Sequence, residues 1–397
     1  MKNAKCKIKN KNLQSKICNL QFAIKQQGFS LVELLISMAI ASVVGMAGYV
    51  IFSSSNWSYK VQEDVSEAQQ NVRVAMERLA GDVRTAGFGL PDPPFSLTFT
   101  GLSTTFVGQS GNSITLTSPI TVSNSAAVPD TITILGIGYE AGVLENDAND
   151  DGIEDNNSCN GAGDGLICLG SANSANNFFT GSGPYTYETN RRYISLNGAA
   201  FIELANAQTD ANRSAGMLSL GTPATLDRNY PDGTSVYIIQ AVQYTINDTA
   251  PFLTGCSATN PCLVSADTTM LRGGSTPGAR EVLAENIEDI QFAYGIDVSP
   301  RDGMIDYTSP YSDGAFVFSA TGAAALSDPS SIIAVKANIV AKTRNQDPKG
   351  ATGFKSQCFE DRLVDAGTTN CTGAVSDGYR RRALTKIIKL RNPKQGA

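Results

Sequence analysis

Glu33 has the most distinctive chemical setting in this 397-residue chain, because it is the only charged side chain in the apolar run at residues 29–52. A helix rises about 1.5 Å per residue, so this run is long enough to cross the roughly 30 Å hydrocarbon core of a bilayer. A carboxylate inside that core is costly unless it reaches the headgroups or pairs with a cation. Two interpretations are open: Glu33 snorkels to the headgroups, or it binds a cation that another subunit supplies.

The charges on either side of the apolar run indicate its orientation. The first 28 residues contain seven lysines and no acid, whereas the whole chain has 31 Lys plus Arg against 37 Asp plus Glu, a net charge of −6. The positive-inside rule then places the N-terminus in the cytoplasm and the rest of the chain across the membrane. No small-residue signal-peptidase site closes the run, so the predicted cleavage lies in front of it, between Gly28 and Phe29. The new α-ammonium of Phe29 in a neighbouring copy is a suitable cation for Glu33.

The segment QQGFSLVELLISMAIA resembles the N-terminus of a type IV prepilin. This resemblance implies that a prepilin peptidase cuts between Gly28 and Phe29 and methylates the new N-terminus at Phe29. It also implies that Glu33 acts in assembly with other pilin subunits. Before assembly the protein would cross the inner membrane once with its body in the periplasm, and afterwards it would be part of a pilus at the cell surface. The pieces IEDIQFAYGID, RDGMID and YRRRALTKIIKLRN resemble minor pilins of the PilW type.

The pattern beyond the apolar run predicts an α+β, pilin-like fold, in which a long N-terminal helix packs on a large antiparallel β-rich body. An amphipathic half-helix is predicted over residues 53–86, with apolar residues at intervals of four and three: Val61, Val65, Ala68, Val72, Ala75, Leu79 and Val83. Six β-branched runs, which begin at Ser113, Thr131, Thr234, Ile287, Ser331 and Ala383, predict strands. The predicted division is a leader at 1–28, a transmembrane half-helix at 29–52, the amphipathic half at 53–86 and the body at 87–397.

Six cysteines remain after the leader, and all lie on the side of the membrane where disulfides persist. Six cysteines allow fifteen pairings, among which spacing cannot choose. We predict sequential pairing, because each pair brackets a short polar loop: Cys159 with Cys168, Cys256 with Cys262, and Cys358 with Cys371. A metal cluster held by cysteines alone is disfavoured because no CxxC occurs. The loop between Cys358 and Cys371 also resembles the disulfide-bounded region of pilins.

The segment DANDDGIED has the spacing of a calcium-binding loop. The predicted Ca²⁺ ligands are Asp147, Asn149, Asp151, the carbonyl of Ile153, and Asp155. The loop departs from an EF-hand because its twelfth position is Ser158 instead of glutamate. A solvated acidic loop is the alternative interpretation. The RDGMID segment is a poorer match, and we do not expect a bound ion there.

The absence of histidine excludes Ser-His-Asp and Cys-His catalysis and histidine-ligated zinc, so we do not predict an enzyme. The acidic body disfavours nucleic-acid binding. The chain also contains a dense basic run, Arg380–Arg382, which we interpret as a solvated strand edge or, alternatively, as a DNA contact. The favoured function is a minor pilin that initiates pilus assembly or sits at the filament tip, in adhesion, twitching motility or DNA uptake. A minor pseudopilin of a type II secretion system and a tip adhesin or binding module are the alternatives.

Overall fold

The computed structural model describes most of the chain after the predicted leader. The described residues are 30–91, 95–100, 113–123, 129–145, 159–169, 178, 191–205, 216–221, 225–249, 251–268, 280–297, 303–305, 316, 331–347 and 378–391. The contacts divide the chain into two units, residues 1–60 and residues 61–397.

In the first unit, the described residues after Ser30 belong to helix α1, which spans Leu31–Thr85 and continues into the second unit. Residues 31–56 are exposed to solvent along their whole length. The most apolar 18-residue window of α1 has a mean hydropathy of 2.2, and the helix is long and apolar enough to cross a membrane. The predicted apolar half-helix is therefore present.

In the second unit, α1 buries one face of its remaining turns, as the apolar spacing predicts. The buried residues are Ala68, Val72, Ala75, Met76, Leu79, Ala80 and Val83. Charged side chains such as Glu63, Arg73 and Glu77 lie on the exposed face. After Thr85 the helix ends, because Gly87 and Gly89 adopt φ angles of 79° and 76°, which residues with a Cβ rarely adopt.

The rest of the second unit is built from strands that pair only antiparallel in the described part of the chain. The strands are β1 Leu97–Thr100, β2 Ser113–Leu116, β3 Ile120–Ser123, β4 Thr131–Val143, β5 Leu166–Cys168, β6 Tyr193–Leu196, β7 Ala200–Glu203, β8 Met217–Ser219, β9 Ser235–Asn247, β10 Cys262–Asp267, β11 Arg280–Glu285, β12 Ile287–Ile296, β13 Ile332–Lys342 and β14 Arg381–Lys389. The largest sheet has the order β11-β10-β9-β4-β3, with β6 paired to β9 and β7 to β6. A three-stranded sheet has the order β12-β13-β14, and β1-β2 and β5-β8 form two small ribbons.

The main core lies between α1 and the two larger sheets, and it includes Leu79, Tyr244, Phe292 and Ile339. A second cluster lies between β5 to β8 and the adjoining ends of β4 and β9. The predicted α+β fold, with a long N-terminal helix on an antiparallel β-rich body, is confirmed.

Two hydrogen bonds and one close backbone approach fix how these layers meet. The Tyr244 hydroxyl donates a hydrogen bond to Asp82 Oδ2 and so joins the helix to β9. The fully buried Asp130, just before β4, accepts a hydrogen bond from the Phe292 N–H at 2.9 Å and thereby joins the two larger sheets. At Gly136 an added Cβ would lie 2.8 Å from the Thr85 carbonyl oxygen, so only glycine lets the helix end approach β4 this closely.

All six predicted strand runs contain strands, whereas β1, β5 to β8, β10 and β11 were missed. One missed hairpin, β6-β7, had a clear signal in the sequence. Residues 197–199 separate its strands, and Asn197 and Gly198 have φ angles of 51° and 71°, the conformation that Asn-Gly hairpin turns favour.

Candidate assembly site

Glu33 lies in the first turn of α1 and exchanges two hydrogen bonds with Ser30. The Ser30 N–H donates to Glu33 Oε2 at 3.0 Å, and the Glu33 N–H donates to Ser30 Oγ at 3.2 Å. This reciprocal pair is a capping box, which satisfies two backbone donors that a helix start leaves without partners. The Ser-x-x-Glu spacing was present in the sequence, but the sequence analysis overlooked Ser30.

The capping box determines where the Glu33 carboxylate stands. It holds the carboxylate against the Ser30 N–H, at the helix end where the backbone dipole favours negative charge. Gly28 and Phe29 lie outside the described residues, but Ser30 directly follows Phe29 in the chain. The carboxylate is therefore held next to the position at which a chain cut after Gly28 begins.

Replacing Ser30 with alanine should fray the first turn of α1, because the Glu33 N–H loses its acceptor. The expected cost is about 0.5–2 kcal/mol of local stability, as for other N-cap serines. Hydrogen exchange of the full chain in detergent should show faster exchange near residues 31–34. Ser42→Ala is the matched control, since Ser42 only donates to the Ala39 carbonyl within the helix at 2.8 Å. Equal exchange in the two variants would contradict the capping role.

The apolar half of α1 keeps the hydroxyl groups of Ser37 and Ser42 bonded to its own backbone. Ser37 donates to the Glu33 carbonyl at 2.6 Å, which suits a segment in a medium without water. Gly45 and Gly48 have no heavy atom within 4 Å of an added Cβ. Small residues of this kind allow another helix to approach closely.

A polar cluster surrounds the start of the helix segment in the second unit. Asn345, at the end of β13, donates hydrogen bonds to the Asp64 carboxylate at 3.2 and 3.3 Å. Arg380 forms an ion pair with the nearly buried Asp347 at 2.8 Å. The Thr343 N–H donates to the Arg380 carbonyl at 2.8 Å, so the chain segments before β14 and after β13 are held together.

The basic run at Arg380–Arg382 is only partly the solvated edge that the sequence predicts. Arg381 is buried, and its guanidinium donates two hydrogen bonds to Glu288, at 2.5 and 2.8 Å. Arg380 is held by Asp347, so only Arg382 has an exposed side chain. The interpretation as a solvated edge is wrong for Arg380 and Arg381, because carboxylates from other strands and loops neutralise them.

Two of the three sequential cysteine pairs are present as disulfides, Cys159–Cys168 and Cys256–Cys262. The first closes a turn in which the Asn160 side chain bonds the Cys168 backbone in both directions. Cys358 and Cys371 lie outside the described residues.

The five predicted calcium ligands, from Asp147 to Asp155, also lie outside the described residues. Their flanks are described: the Glu145 N–H donates to the Cys168 carbonyl at 3.1 Å, and Cys159 is bonded to the Cys168 sulfur. Both ends of the segment 146–158 therefore meet at Cys168. Within the described ranges, no group of three or more acidic or cysteine side chains could hold a metal ion.

Asp227, Arg228 and Tyr230 form a small polar cluster near the first disulfide. The Tyr230 hydroxyl donates to Asp227 Oδ1 at 2.7 Å, and this hydrogen bond, helped by the nearby Arg228, lowers the pKa of Asp227 below its usual 3.8. Burial raises the pKa of Tyr230, which therefore stays protonated as the donor. Because the pKa of Asp227 is lower in the folded than in the unfolded protein, its ionised carboxylate stabilises the fold at any pH above the unfolded-state pKa. This stabilisation is lost as the pH falls through the folded-state pKa.

Replacing Tyr230 with phenylalanine should therefore raise the pKa of Asp227 toward 3.8, because the charged carboxylate loses its hydrogen-bond donor. Carboxyl-carbon NMR titration of Asp227 in acid would measure the change. A Tyr230→Phe protein with an unchanged Asp227 curve would exclude the hydrogen bond as the cause.

Comparisons with known proteins match both ends of the chain. Residues 24–49 match the family model described as the prokaryotic N-terminal methylation motif, and residues 243–392 match that of the type IV pilus-assembly protein W. Among solved structures, the chain is similar to a type IV-like pilin from Thermus thermophilus, with 11% identity, a TM-score of 0.31, and coverage of 85% of this chain and 99% of that chain. No curated protein matches the chain.

The two matched ranges define the class of protein: this is a pilin-like protein related to type IV pili. The first range includes the apolar start of α1 with Glu33, and the second extends from β9 through β14. Within that class the chain is PilW-like, and the predicted resemblance is confirmed.

Proposed function

We propose that this protein is a minor pilin, which helps to initiate a type IV pilus or sits at its tip. The observation that carries the proposal is the form of α1. Its first half, Leu31–Phe52, is apolar and exposed and begins with a capped Glu33, whereas the turns from Ala68 to Val83 are part of the core of the body. An apolar surface of that size needs lipid or other helices to cover it.

The Glu33 carboxylate supplies the specificity of the proposed assembly step. After cleavage at Gly28–Phe29 by a prepilin peptidase, the ammonium of Phe29 in a neighbouring subunit pairs with Glu33. In a medium of low dielectric this attraction is strong, and it is available only to cleaved subunits. The pair sets the axial register, while apolar helices of other pilins replace lipid around residues 31–52.

The test is to delete the gene, complement it with the intact form, and count surface pili while measuring secreted proteins. Loss of pili that the intact form restores would support the minor pilin. Normal pili with lost secretion would replace the proposal by the second candidate, a minor pseudopilin, whose N-terminal chemistry is the same. Normal pili and normal secretion would contradict both and favour an adhesive or DNA-uptake module.

We also propose that the loop from Asp147 to Asp155 binds Ca²⁺ weakly, as extracellular calcium modules do. The observation in its favour is that both flanks meet at Cys168, so the loop is already closed at its base. Calorimetry with Ca²⁺ should give one site of about 0.1–1 mM in the full chain. Asp151→Asn should remove the heat and Asp232→Asn should not; equal heats, or no heat in the intact chain, would contradict the site.

A further inference from the structure

Strand β14 forms a long and regular outer edge of the three-stranded sheet. Within the described ranges it pairs only with β13, through consecutive partners from Ala334↔Lys389 to Lys342↔Arg381, without a register shift. The β12-β13 pairing, in contrast, has two register shifts. Proline and bulges, which proteins use to block exposed edges, are absent from β14.

The alternation of hydrogen-bonded residues along β14 shows which of its backbone groups face away from β13. The Thr343 N–H donates to the Arg380 carbonyl, and the Leu390 N–H donates to the Ile333 carbonyl. In an antiparallel pair, alternate residues bond to the partner strand, so the even-numbered residues of β14 bond to β13. The N–H and C=O groups of the five odd-numbered residues therefore point away from β13: Arg381, whose carbonyl accepts a hydrogen bond from the Arg382 guanidinium, and then Ala383, Thr385, Ile387 and Lys389. Arg391 follows the same parity, and its outward N–H donates to the Arg84 carbonyl at 3.0 Å.

The side chains along this edge are basic, with one exposed apolar residue. Ile387 is 53% exposed, and Lys389 and Arg391 are exposed on the same face of the strand, whereas the exposed Arg382 lies on the opposite face. Residues 378–397 contain seven cations and no acid in a chain whose net charge is −6. Because Arg380 and Arg381 already have carboxylate partners, the excess positive charge lies on the open edge.

The positive charge of this edge determines what kind of molecule can bind to it. Two copies of β14 side by side would bring like charges together, so the edge rejects a second β14. A nucleic acid would need aromatic stacking or a broad basic surface, and β14 has no aromatic residue. An extended peptide satisfies the outward N–H and C=O groups, and acidic side chains on it neutralise the cations.

We propose that the outer edge of β14, from Ala383 to Lys389, binds an extended acidic segment of another protein by strand addition. The segment becomes a fourth strand of the β12-β13-β14 sheet, and an apolar side chain on it covers Ile387. This surface lies on the body, so the inference goes beyond the assembly role of α1.

The first experiment uses the full chain in detergent and a synthetic peptide of alternating glutamate and valine. Hydrogen exchange should slow at the outward N–H groups of Thr385 and Ile387 when the peptide binds. Exchange at Leu384 and Lys386, whose N–H groups already bond to β13, should not change. No binding, or equal binding of the same peptide with a central proline, would overturn the proposal, as would a preference for a single-stranded oligonucleotide.

Two variants test the edge separately from the fold. Ile387→Pro removes an outward N–H group but leaves every hydrogen bond to β13 in place. Lys389→Glu reverses one charge on the edge. Each variant should weaken peptide binding about tenfold or more. Arg344→Glu is the control, since Arg344 is exposed beyond the end of β13 and away from the edge. Glu33→Leu should bind the peptide normally, so failure of the edge and failure of pilus assembly are distinguishable. Equal weakening of peptide binding by Arg344→Glu and Lys389→Glu would mean that binding depends only on the net charge of the protein, and this result would overturn the proposal.

Discussion

Cells that carry Glu33→Leu should retain the protein in the inner membrane with its leader removed, yet the sheared pilus fraction should contain little of it. The change removes the partner of a neighbouring Phe29 ammonium in an apolar medium. An uncompensated buried charge costs about 3–5 kcal/mol, which corresponds to roughly a hundredfold or greater loss of incorporation. Immunoblots of membrane and pilus fractions measure the ratio, and mass spectrometry of the N-terminus reports cleavage.

Glu63→Leu is the matched control for this experiment, because Glu63 is an exposed acid on the same helix. Glu33→Asp keeps the charge with a shorter reach and should be intermediate. If Glu33→Leu enters filaments as well as Glu63→Leu does, the carboxylate has no assembly role. The result would then favour the simpler interpretation, in which Glu33 only caps its own helix through Ser30.

Leu79→Ala should lower the free energy of unfolding of the body by about 2–5 kcal/mol. Leu79 is fully buried where α1 packs against the sheets. Its truncation to alanine therefore leaves a cavity that the surrounding side chains fill only in part. Pulse proteolysis of the full chain in detergent, over a urea series, measures this loss.

Val74→Ala is the control for the cavity, since Val74 lies on the same helix and is 48% exposed. Its expected change is within about 0.5 kcal/mol. A loss in Leu79→Ala no larger than that in Val74→Ala would contradict the stabilising role of Leu79 packing, because alanine is the better helix former at both positions.

The helix and the long strands were predictable because their signals are local and repeated. The four-and-three spacing from Ala68 to Val83 identified the buried face, and the β-branched runs identified β4, β9, β12 and β13. The short strands β5 and β8 have only three residues each, too few for a period to emerge, and they become strands through pairing with one another. Such pairing depends on tertiary contacts that local patterns do not encode.

The candidate site was predictable in its residue types but not in its partners. Glu33 was evident from its charge in an apolar run, whereas its bond to Ser30 requires the backbone geometry of a helix start. The ion pairs of Arg380 with Asp347 and of Arg381 with Glu288 join residues 33 and 93 positions apart. Charge counting treated these arginines as a basic run, because sequence order does not show that carboxylates fold back against them.

Two backbone hydrogen bonds join the chain just after β13 to the chain just before β14, and this connection affects how the protein can change during evolution. Asp347 and Gly378 are joined by a backbone hydrogen bond of 2.8 Å, and Thr343 and Arg380 by another. Residues 347 and 378 are therefore held together at one fixed point of the body. Because the entropic cost of closing a loop grows only slowly with its length, lineages can lengthen, shorten or exchange residues 348–377 at little cost to the body. Variation in length among relatives should concentrate in this interval.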